Sequence, residues 1–400
     1  MSSLMPLEEA LSQILGSTKP TAEVEELPLI AALGAVLAED VVSIIDVPGD
    51  DNSAMDGYAL RCEDLPGMLP ISQRIAAGAV GEPLQAGTAA RIFTGAPIPP
   101  GADTVVMQEN CAVEGSLLSV TGEVTRNQNI RPRGQDIAAG AVALTAGRRL
   151  RPQDLGLLAS VGVAQVKVFR RLKVAVLSTG DELIEPGTAE LGTGQLYNSN
   201  RYTLAGLLAK LGLDVIDAGI MPDDPLATAD ALLAASRSAD CVITSGGVSV
   251  GEEDHVKAQV ERLGHIDLWK LAIKPGKPLA FGAIADTPFI GLPGNPTSVF
   301  ATFCLVARPF LLKLQGAIEY HIPELRVTAG FSTAKPGARQ DYVRVSLESG
   351  ERGIVARRFA NQSSGVLSSV SHSDALAVIP PGTVVKEGDE IRILLLDLLA

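Results

Sequence analysis

The apolar residues of the central segment, residues 172–312, follow two different spacings. Short β-branched runs such as Lys173–Ser178 predict strands, and runs with apolar residues three and four positions apart predict helices between them. In the first of these helices four leucines share one face, with Asn200 as the predicted N-cap and Gly212 as the stop. Strands that alternate with helices at this spacing predict a doubly wound, parallel α/β sheet.

The same alternation continues to the end of the segment. Asp224 followed by Pro225 predicts the start of a second helix that runs to about Ser238, and a third helix is predicted to stop at Gly264. A long helix is predicted from Asn295-Pro296 onward. Further strands are predicted at Leu213–Ile216, Cys241–Thr244, Ile266–Lys270, Leu279–Ala283 and Pro288–Leu292.

The flanking segments have different patterns. Residues 1–45 carry two helical patterns, one through Leu7, Leu11 and Ile14 and one from Ile30 to Leu37, and a helical pattern returns at Gln153–Val161. Short strands punctuated by glycine and proline lie between them, and β patterns also follow His321. The predicted domains are a helical domain in two pieces (1–45 and 141–171), an inserted β-rich domain (46–140), the α/β domain (172–321) and a C-terminal β domain (322–400).

Composition and net charge argue against several classes of protein. A net charge of −13 argues against general nucleic-acid binding, which needs basic surfaces to neutralise phosphates. The four cysteines and four histidines show no metal-ligand spacing, which argues against a disulfide framework or a zinc site. The best apolar run is interrupted by Arg308-Pro309, and the N-terminus lacks a signal pattern, so we expect no membrane association and a cytoplasmic protein.

Four turns in the α/β segment are chemically rich. They are Ser178–Glu182, Pro222–Pro225, Ser245–Asp254 and Leu292–Pro296. In a parallel sheet the turns that follow the strands open at one edge, and such sheets bind ligands there. The sequence therefore predicts that acids, glycines and helix starts from all four turns meet at one site.

Most of the candidate carboxylates also have a structural explanation. Asp224 is fully explained as an N-cap, which leaves Asp223 as the better functional candidate. Glu182 and the acids Glu252–Asp254 could instead complement the positive ends of helices. Asp51 and Asp56, in the β-rich segment, could be ordinary Asx-turn residues.

Glycines and lysines supply candidate anion-binding groups. Gly246 and Gly247 allow a backbone to approach a phosphate closely, although a tight strand-to-helix turn alone would also need them. Prolines restrict the backbone of the turn that carries Lys274 and Lys277. Lysines that only face solvent would not require such a restricted turn, so the two lysines are candidates for anion binding. Ser298, at the start of the long helix, could donate its hydroxyl to an oxyanion or be an ordinary first-turn serine.

The chain contains six motifs in this order: Asp51–Ala59, Arg91–Pro97, Ser178–Leu183, Ser245–Gly251, Lys274–Pro278 and Leu292–Pro296. Together they resemble the signature set of the molybdopterin molybdenumtransferases, the molybdate-insertase family that includes bacterial MoeA and the E-domain of gephyrin. The resemblance covers essentially the whole chain. It implies a helical linker domain, an inserted β-rich domain, a molybdopterin-binding α/β domain and a C-terminal β-barrel, assembled as a homodimer.

The resemblance also implies a reaction: molybdenum from molybdate enters adenylylated molybdopterin and AMP leaves, with Mg²⁺ as the metal. Because Mg²⁺ takes few protein carboxylates, not all of the acids can be direct ligands. The implied metal ligands are Glu182, Asp223 and Asp254, and the implied catalytic set adds Asp56, Thr94 and Asp136. The implied substrate-binding residues are Ser245, Gly246, Gly247, Lys270, Lys274, Lys277, Pro278, Ser298, Arg344 and Ser364, of which Lys277, Pro278, Ser298, Arg344 and Ser364 would hold molybdate.

The resemblance implies that Asp56 and Thr94 reach the pocket of the other subunit, so that the site is shared, and other proteins of molybdenum cofactor biosynthesis are candidate partners. The sequence departs from the family pattern at Gln135, where glutamate is common, at Ser363, where glycine or methionine is frequent, and at Ser373-Asp374, where Ala-Asn is usual. Two alternatives stay open, a molybdopterin adenylyltransferase and a non-catalytic molybdopterin-binding scaffold. The two extra β domains argue against the first, and the retained acids and lysines argue against the second.

Overall fold

The computed structural model describes residues 4–20, 23–188, 190–222, 224–247, 255–351 and 353–399, apart from the side chain of Leu268. Its centre is a six-stranded sheet. The strand order is Asp214–Met221, Lys173–Thr179, Cys241–Ser245, Thr287–Leu292, Pro278–Ile284 and Gly264–Lys270. The first four strands are parallel, as predicted. The fifth, Pro278–Ile284, runs antiparallel to both of its neighbours, Thr287–Leu292 and Gly264–Lys270. A tight turn at Ala285, with φ of 51°, joins two of these strands as a hairpin and explains the reversal.

Helices cover this sheet at the predicted positions: Ser199–Lys210, Pro225–Ser238, His255–Leu263 and a long helix from Pro296 to Leu314. Asp224 is the N-cap of the second helix, since its carboxylate accepts bonds from the backbone N–H groups of Leu226 and Ala227. The prediction of Asn200 as the first N-cap was wrong. Asn198 holds that position and accepts from the N–H of Arg201, which frees Asn200 for another contact.

The long helix continues through Arg308-Pro309, the pair that interrupts the apolar run in the sequence. A π-helical segment, Phe303–Ala307, lies between two α-helical parts and directly precedes the proline. Pro309 has no N–H to donate to the carbonyl of Leu305, and such a widened turn is a common accommodation of that mismatch. By length and composition this helix could span a membrane, but 83% of its apolar window is buried inside the protein.

The helical domain contains less helix than predicted. The helices Leu7–Ser17 and Pro152–Ser160 are present, but the second pattern of residues 1–45 is not a helix. It forms a single 3₁₀ turn, Leu29–Ala32, and a short strand, Val36–Leu37, that pairs with Gln165–Phe169. Gly34, with φ of 77°, lies between them and turns the chain out of helical geometry. The sheet is completed by Val24–Pro28.

The inserted domain is built on a second six-stranded sheet. Its strand order is Thr104–Met107, Gly57–Leu60, Ala89–Ile92, Leu69–Ile75, Leu117–Val120 and Cys111–Glu114. Short two-stranded pairs join Asn52–Ser53 to Ile130–Arg131 and Val41–Val42 to Val142–Leu144. This domain keeps cores of its own, separate from that of the α/β domain.

The C-terminal domain is a closed barrel of five strands. Around the ring they are Gln340–Gly350, Gly353–Arg358, Leu325–Ala329, Glu390–Leu395 and Ala375–Ile379, and the last pairs again with the first. The short strand Ile273–Lys274 of the α/β domain pairs with the start of Gln340–Gly350. One apolar core runs through Leu7, Phe303 and Tyr342, so the N-terminal helix, the α/β domain and the barrel pack together.

Candidate active site

A cavity of about 850 Å³ opens at the carboxyl edge of the parallel strands. Turns after four of those strands contribute to its wall, as the strand-end argument predicted. The cavity wall includes six of the candidate site residues: Glu182, Ser245, Gly246, Gly247, Pro278 and Ser298. Gly365 and Leu367 add a contribution from the C-terminal domain, so the cavity lies between two domains.

Glu182 is the acidic candidate that the structure places on the cavity wall. Its carboxylate folds over Gly180: a Cβ atom added to Gly180 would lie 2.3 Å from Glu182 Oε2, and the φ of Gly180 is 138°. A side chain at position 180 would therefore displace the carboxylate. The other two implied metal ligands, Asp223 and Asp254, lie outside the described residues.

The glycine turn forms a wall on which backbone is accessible to a ligand. Gly246 and Gly247 both have positive φ, at 91° and 68°, and Cβ atoms there would meet Thr179 Oγ1 at 2.8 Å and Val256 at 2.5 Å. Only glycine fits both the backbone conformation and the space. Ser245, before them, is 2% exposed, and its hydroxyl has no hydrogen-bond partner in the described part of the chain.

The lysine turn lies beside the cavity. Pro278 is on the cavity wall, whereas the side chains of Lys270, Lys274 and Lys277 are exposed and outside it. Lys274 Nζ lies 2.9 Å from Asp341 Oδ2 of the barrel, which fixes one lysine as a bridge between domains. The structure therefore does not bring the three lysines onto the cavity wall.

Arg344 lies on the barrel strand Gln340–Gly350, and Ser364 lies in the loop that also carries the wall residue Gly365. Arg344 is 1% exposed, and its guanidinium donates to Ser369 Oγ (3.1 Å) and to the carbonyl of Ser363 (3.3 Å). No ion pair to Arg344 occurs among the described residues, and burial lowers the pKa of its guanidinium. The Ser364 carbonyl accepts from the N–H of Thr297, which joins this loop to the helix start that carries Ser298. A buried cation held by neutral acceptors suits a bound anion.

The candidates of the inserted domain lie apart from the cavity. Asp56 Oδ1 accepts bonds of 2.8 Å from both the backbone N–H and the hydroxyl of Thr94. These two bonds, the backbone one foremost, lower the pKa of Asp56, so the carboxylate is held ionised. Local Asx turns do not explain the acids here, because Asp56 binds a residue 38 positions away and Asp51 accepts from the N–H of Arg133. Asp136 is likewise exposed.

The sequence missed several wall residues. Asn198, Asn200 and His255 line the cavity, and Asn200 Nδ2 donates to the carbonyl of Gly294 at 2.7 Å. Position in the sequence could have indicated the two asparagines, because the run Tyr197–Asn200 leads into a helix that begins at the edge where the strands end. The sequence predicted Asn200 only as a helix cap, and this role does not indicate its contact with Gly294, which follows the strand Thr287–Leu292.

The fold and the cavity define a multidomain α/β protein with a polar, small-ligand site shared between its α/β domain and its barrel. Three family models match the chain: MoeA N-terminal region (domain I and II) at residues 5–162, a probable molybdopterin binding domain at 175–313, and MoeA C-terminal region (domain IV) at 326–396.

Full-length relatives agree with these matches. The chain is 42% identical to the molybdopterin molybdenumtransferase of Haemophilus influenzae over 94% of each chain, and 37% identical to that of Nostoc over 93% of this chain and 88% of the relative. A crystal structure of the molybdopterin biosynthesis moeA protein from Pyrococcus horikoshii OT3 superposes with a TM-score of 0.85 at 32% identity, covering 98% of this chain and all of that one. The chain belongs to the molybdopterin molybdenumtransferase family.

Proposed function

We propose that this protein inserts molybdenum from molybdate into adenylylated molybdopterin and releases AMP. Family membership supports the transfer of molybdenum to molybdopterin. The observation that carries the finer proposal is the composition of the cavity wall, where a carboxylate, an anion-accepting glycine turn and the helix start bearing Ser298 meet. A phosphate linkage and a tetrahedral dianion would both find donors there.

The proposed roles divide the site in two. The backbone N–H of Gly247 would receive the phosphates of the adenylylated substrate, and Gly246, whose own N–H donates to the carbonyl of Leu292, would let them approach because it has no side chain. Ser245 would contact the organic part of the same substrate. Ser298 and Pro278, with Arg344 and Ser364 behind them, would hold molybdate, and Lys277 would add charge at the entrance. Lys270 and Lys274 would act as long-range attraction for anions, since both are exposed.

Mg²⁺ is the metal that we propose for this site. Among the described residues there is no group of three acidic, histidine or cysteine side chains that could hold a metal ion, and Glu182 supplies one carboxylate on the wall. Mg²⁺ is commonly held by one or two carboxylates together with substrate phosphates. Glu182, Asp223 and Asp254 would hold the ion, which would offset the repulsion between phosphate and molybdate when bound.

We further propose a cytoplasmic homodimer in which the inserted domain completes the site of its partner. Asp56, Thr94 and Asp136 are exposed and are not on the cavity wall of their own chain. A second subunit is the simplest source of a surface that would use them. The proposed domain division remains 1–45 with 141–171, 46–140, 172–321 and 322–400, and other proteins of molybdenum cofactor biosynthesis are proposed as partners that deliver substrate.

The test is to mix purified protein with adenylylated molybdopterin, molybdate and Mg²⁺, and to measure AMP and active cofactor together. We expect both products in equal amounts, and neither when molybdate or Mg²⁺ is left out. Binding of the substrate without turnover would indicate a scaffold. Formation of adenylylated molybdopterin from ATP, without insertion, would indicate an adenylyltransferase.

A further inference from the structure

Two polar atoms at the cavity are buried and have no partner in the described part of the chain. They are Ser245 Oγ and Asn200 Oδ1, and both residues belong to the cavity wall. Leaving a buried donor or acceptor unpaired destabilises the folded chain, so native proteins rarely keep one without a reason. Their position on a ligand cavity makes a bound ligand the natural partner.

The hydrogen bond made by the Asn200 amide nitrogen fixes the orientation of the amide group. The carbonyl oxygen of Gly294 can only accept, so the group that faces it at 2.7 Å must be Nδ2. Oδ1 is then the free end, and an amide oxygen can only accept. The ligand must therefore bring an N–H or O–H donor to this point.

The two residues belong to one continuous part of the wall. Asn200 binds Gly294, and a Cβ atom added to Gly294 would lie 3.9 Å from the Cα of Gly246, the residue after Ser245. Asn200 Oδ1 can only accept, whereas the Ser245 hydroxyl can donate or accept. An acceptor and a hydroxyl on the same part of the wall match an aromatic ring that carries both an amino group and a ring nitrogen or oxygen.

We propose that Asn200 and Ser245 recognise an exocyclic amino group on the heteroaromatic part of the substrate, with Asn200 Oδ1 accepting its N–H. This inference rests on the proposed function and deepens it, since both the adenine and the pterin of the proposed substrate carry such a group. Asn200 is thereby a specificity-determining residue of the site, and its bond to Gly294 keeps the acceptor in place.

Matched ligand pairs test the proposal. AMP and IMP differ by an amino and an oxo group on the purine, and a pterin and its lumazine differ in the same way on the pterin ring. We expect the wild type to bind the amino member of one pair about ten- to a hundredfold more tightly, the value of one well-placed hydrogen bond against an unpaired one. In Asn200→Ala that ratio should fall to within about twofold. The pair that responds identifies which ring occupies this part of the wall.

Neighbouring residues provide the control for folding. Ser245→Ala removes an unpaired buried hydroxyl, so its melting temperature should equal or exceed that of the wild type while binding of the amino ligand weakens. Thr244→Val removes another unpaired buried hydroxyl, on the same strand but not on the cavity wall, and should change neither the ratio nor the affinity.

Two results would overturn the proposal: a wild type that does not discriminate within either pair, or an Asn200→Ala variant that keeps the full wild-type ratio while folded. A marked loss of stability in Ser245→Ala would remove Ser245 from it, because the hydroxyl would then have a structural partner. Molybdenum insertion by the wild type is measured separately. If insertion occurs and the ratios do not change, this inference fails and the proposed function stands; if insertion is absent, the proposed function fails first.

Discussion

The cavity of the α/β domain and the exposed Asp56–Thr94 pair of the inserted domain differ in how their polar groups are satisfied. In the cavity, Ser245 Oγ and Asn200 Oδ1 have no protein partner in the described chain. In the inserted domain, the Asp56 carboxylate already accepts two bonds from Thr94. The first region therefore has unpaired polar atoms that a ligand could bind. The second holds a rigid, ionised carboxylate on an exposed surface, which suits a group presented to something outside its own domain.

Topology explains the difference. Parallel strands bring the turns after residues 179, 245 and 292 to one edge, so the cavity gathers residues from distant parts of the chain. The inserted domain has its own cores and holds Asp56 against the turn that follows the strand Ala89–Ile92. The proposed site needs both regions, and each can be tested alone.

The largest effect is expected at Glu182. Glu182→Gln keeps the shape of the side chain but removes the charge proposed to hold Mg²⁺, so AMP release should fall on the order of a hundredfold or more. The melting temperature should hardly change, because exposed substitutions usually stay within about ±0.5 kcal/mol. Glu190→Gln, an exposed acid nearby in the sequence and not on the wall, is the control and should keep full activity. Equal activity of both variants would remove Glu182 from the mechanism.

A somewhat smaller effect is expected at the barrel side of the cavity. Arg344→Lys keeps a positive charge but loses the planar donor fork, so the molybdate concentration for half-maximal insertion should rise about ten- to a hundredfold. Binding of adenylylated molybdopterin should stay near normal. Arg358→Lys, an exposed arginine of the same barrel, should leave the titration unchanged. An unchanged molybdate dependence in folded Arg344→Lys, at fixed ionic strength, would show that Arg344 is not a molybdate ligand.

The smallest effect is expected within the Asp56–Thr94 pair. Thr94→Val removes the hydroxyl donor but keeps the backbone N–H, which is the stronger cause of the lowered pKa of Asp56. The pKa of Asp56 should therefore rise in part yet stay below its ordinary value, as followed by NMR titration of the carboxyl. Because a lowered pKa favours the ionised form, any contribution of this pair is present above the ordinary pKa and is lost as the pH falls through the lowered one.

Thr121→Val is a suitable control for that titration, since Thr121 is an exposed threonine of the same domain whose hydroxyl binds the carbonyl of Asn110. It should leave the pKa of Asp56 as in the wild type. A Thr94→Val variant whose Asp56 pKa does not move would show that the hydroxyl bond contributes nothing to the preorganised carboxylate.

Features set by short-range chemistry could be predicted from the sequence. The Asp224-Pro225 helix start depends on bonds within three residues, and the barrel strand Glu390–Leu395 begins with an alternation of polar and apolar residues that is visible locally. The predicted second helix of residues 1–45 was wrong because Gly34 and pairing with a strand about 130 residues away override its apolar spacing. The start of the long helix was predicted, but the π segment that precedes Pro309 was not, because spacing alone does not show how a proline is accommodated.

The candidate site shows the same limit. Glu182, Gly246 and Ser298 could be found because each lies in a recognisable turn after a strand or at a helix start. The role of Asn200 could not, because it depends on a bond to Gly294, 94 positions away, and on a free oxygen whose burial only the folded chain reveals. For Lys274 and Lys277 the stiff turn predicted anion-binding groups, and their exposed side chains lie outside the wall of this chain's cavity, so that role stays a prediction.

The most direct test of the account is complementation between the two regions. Asp56→Ala and Glu182→Ala should each be inactive alone, one lacking the presented carboxylate and the other the cavity carboxylate. Mixed under conditions of verified subunit exchange, they should form heterodimers with one intact site and recover insertion activity. Activity that stays absent after exchange would contradict the shared site. Asp56 and Glu182 would then act within one subunit, or one of them would take no part in the reaction.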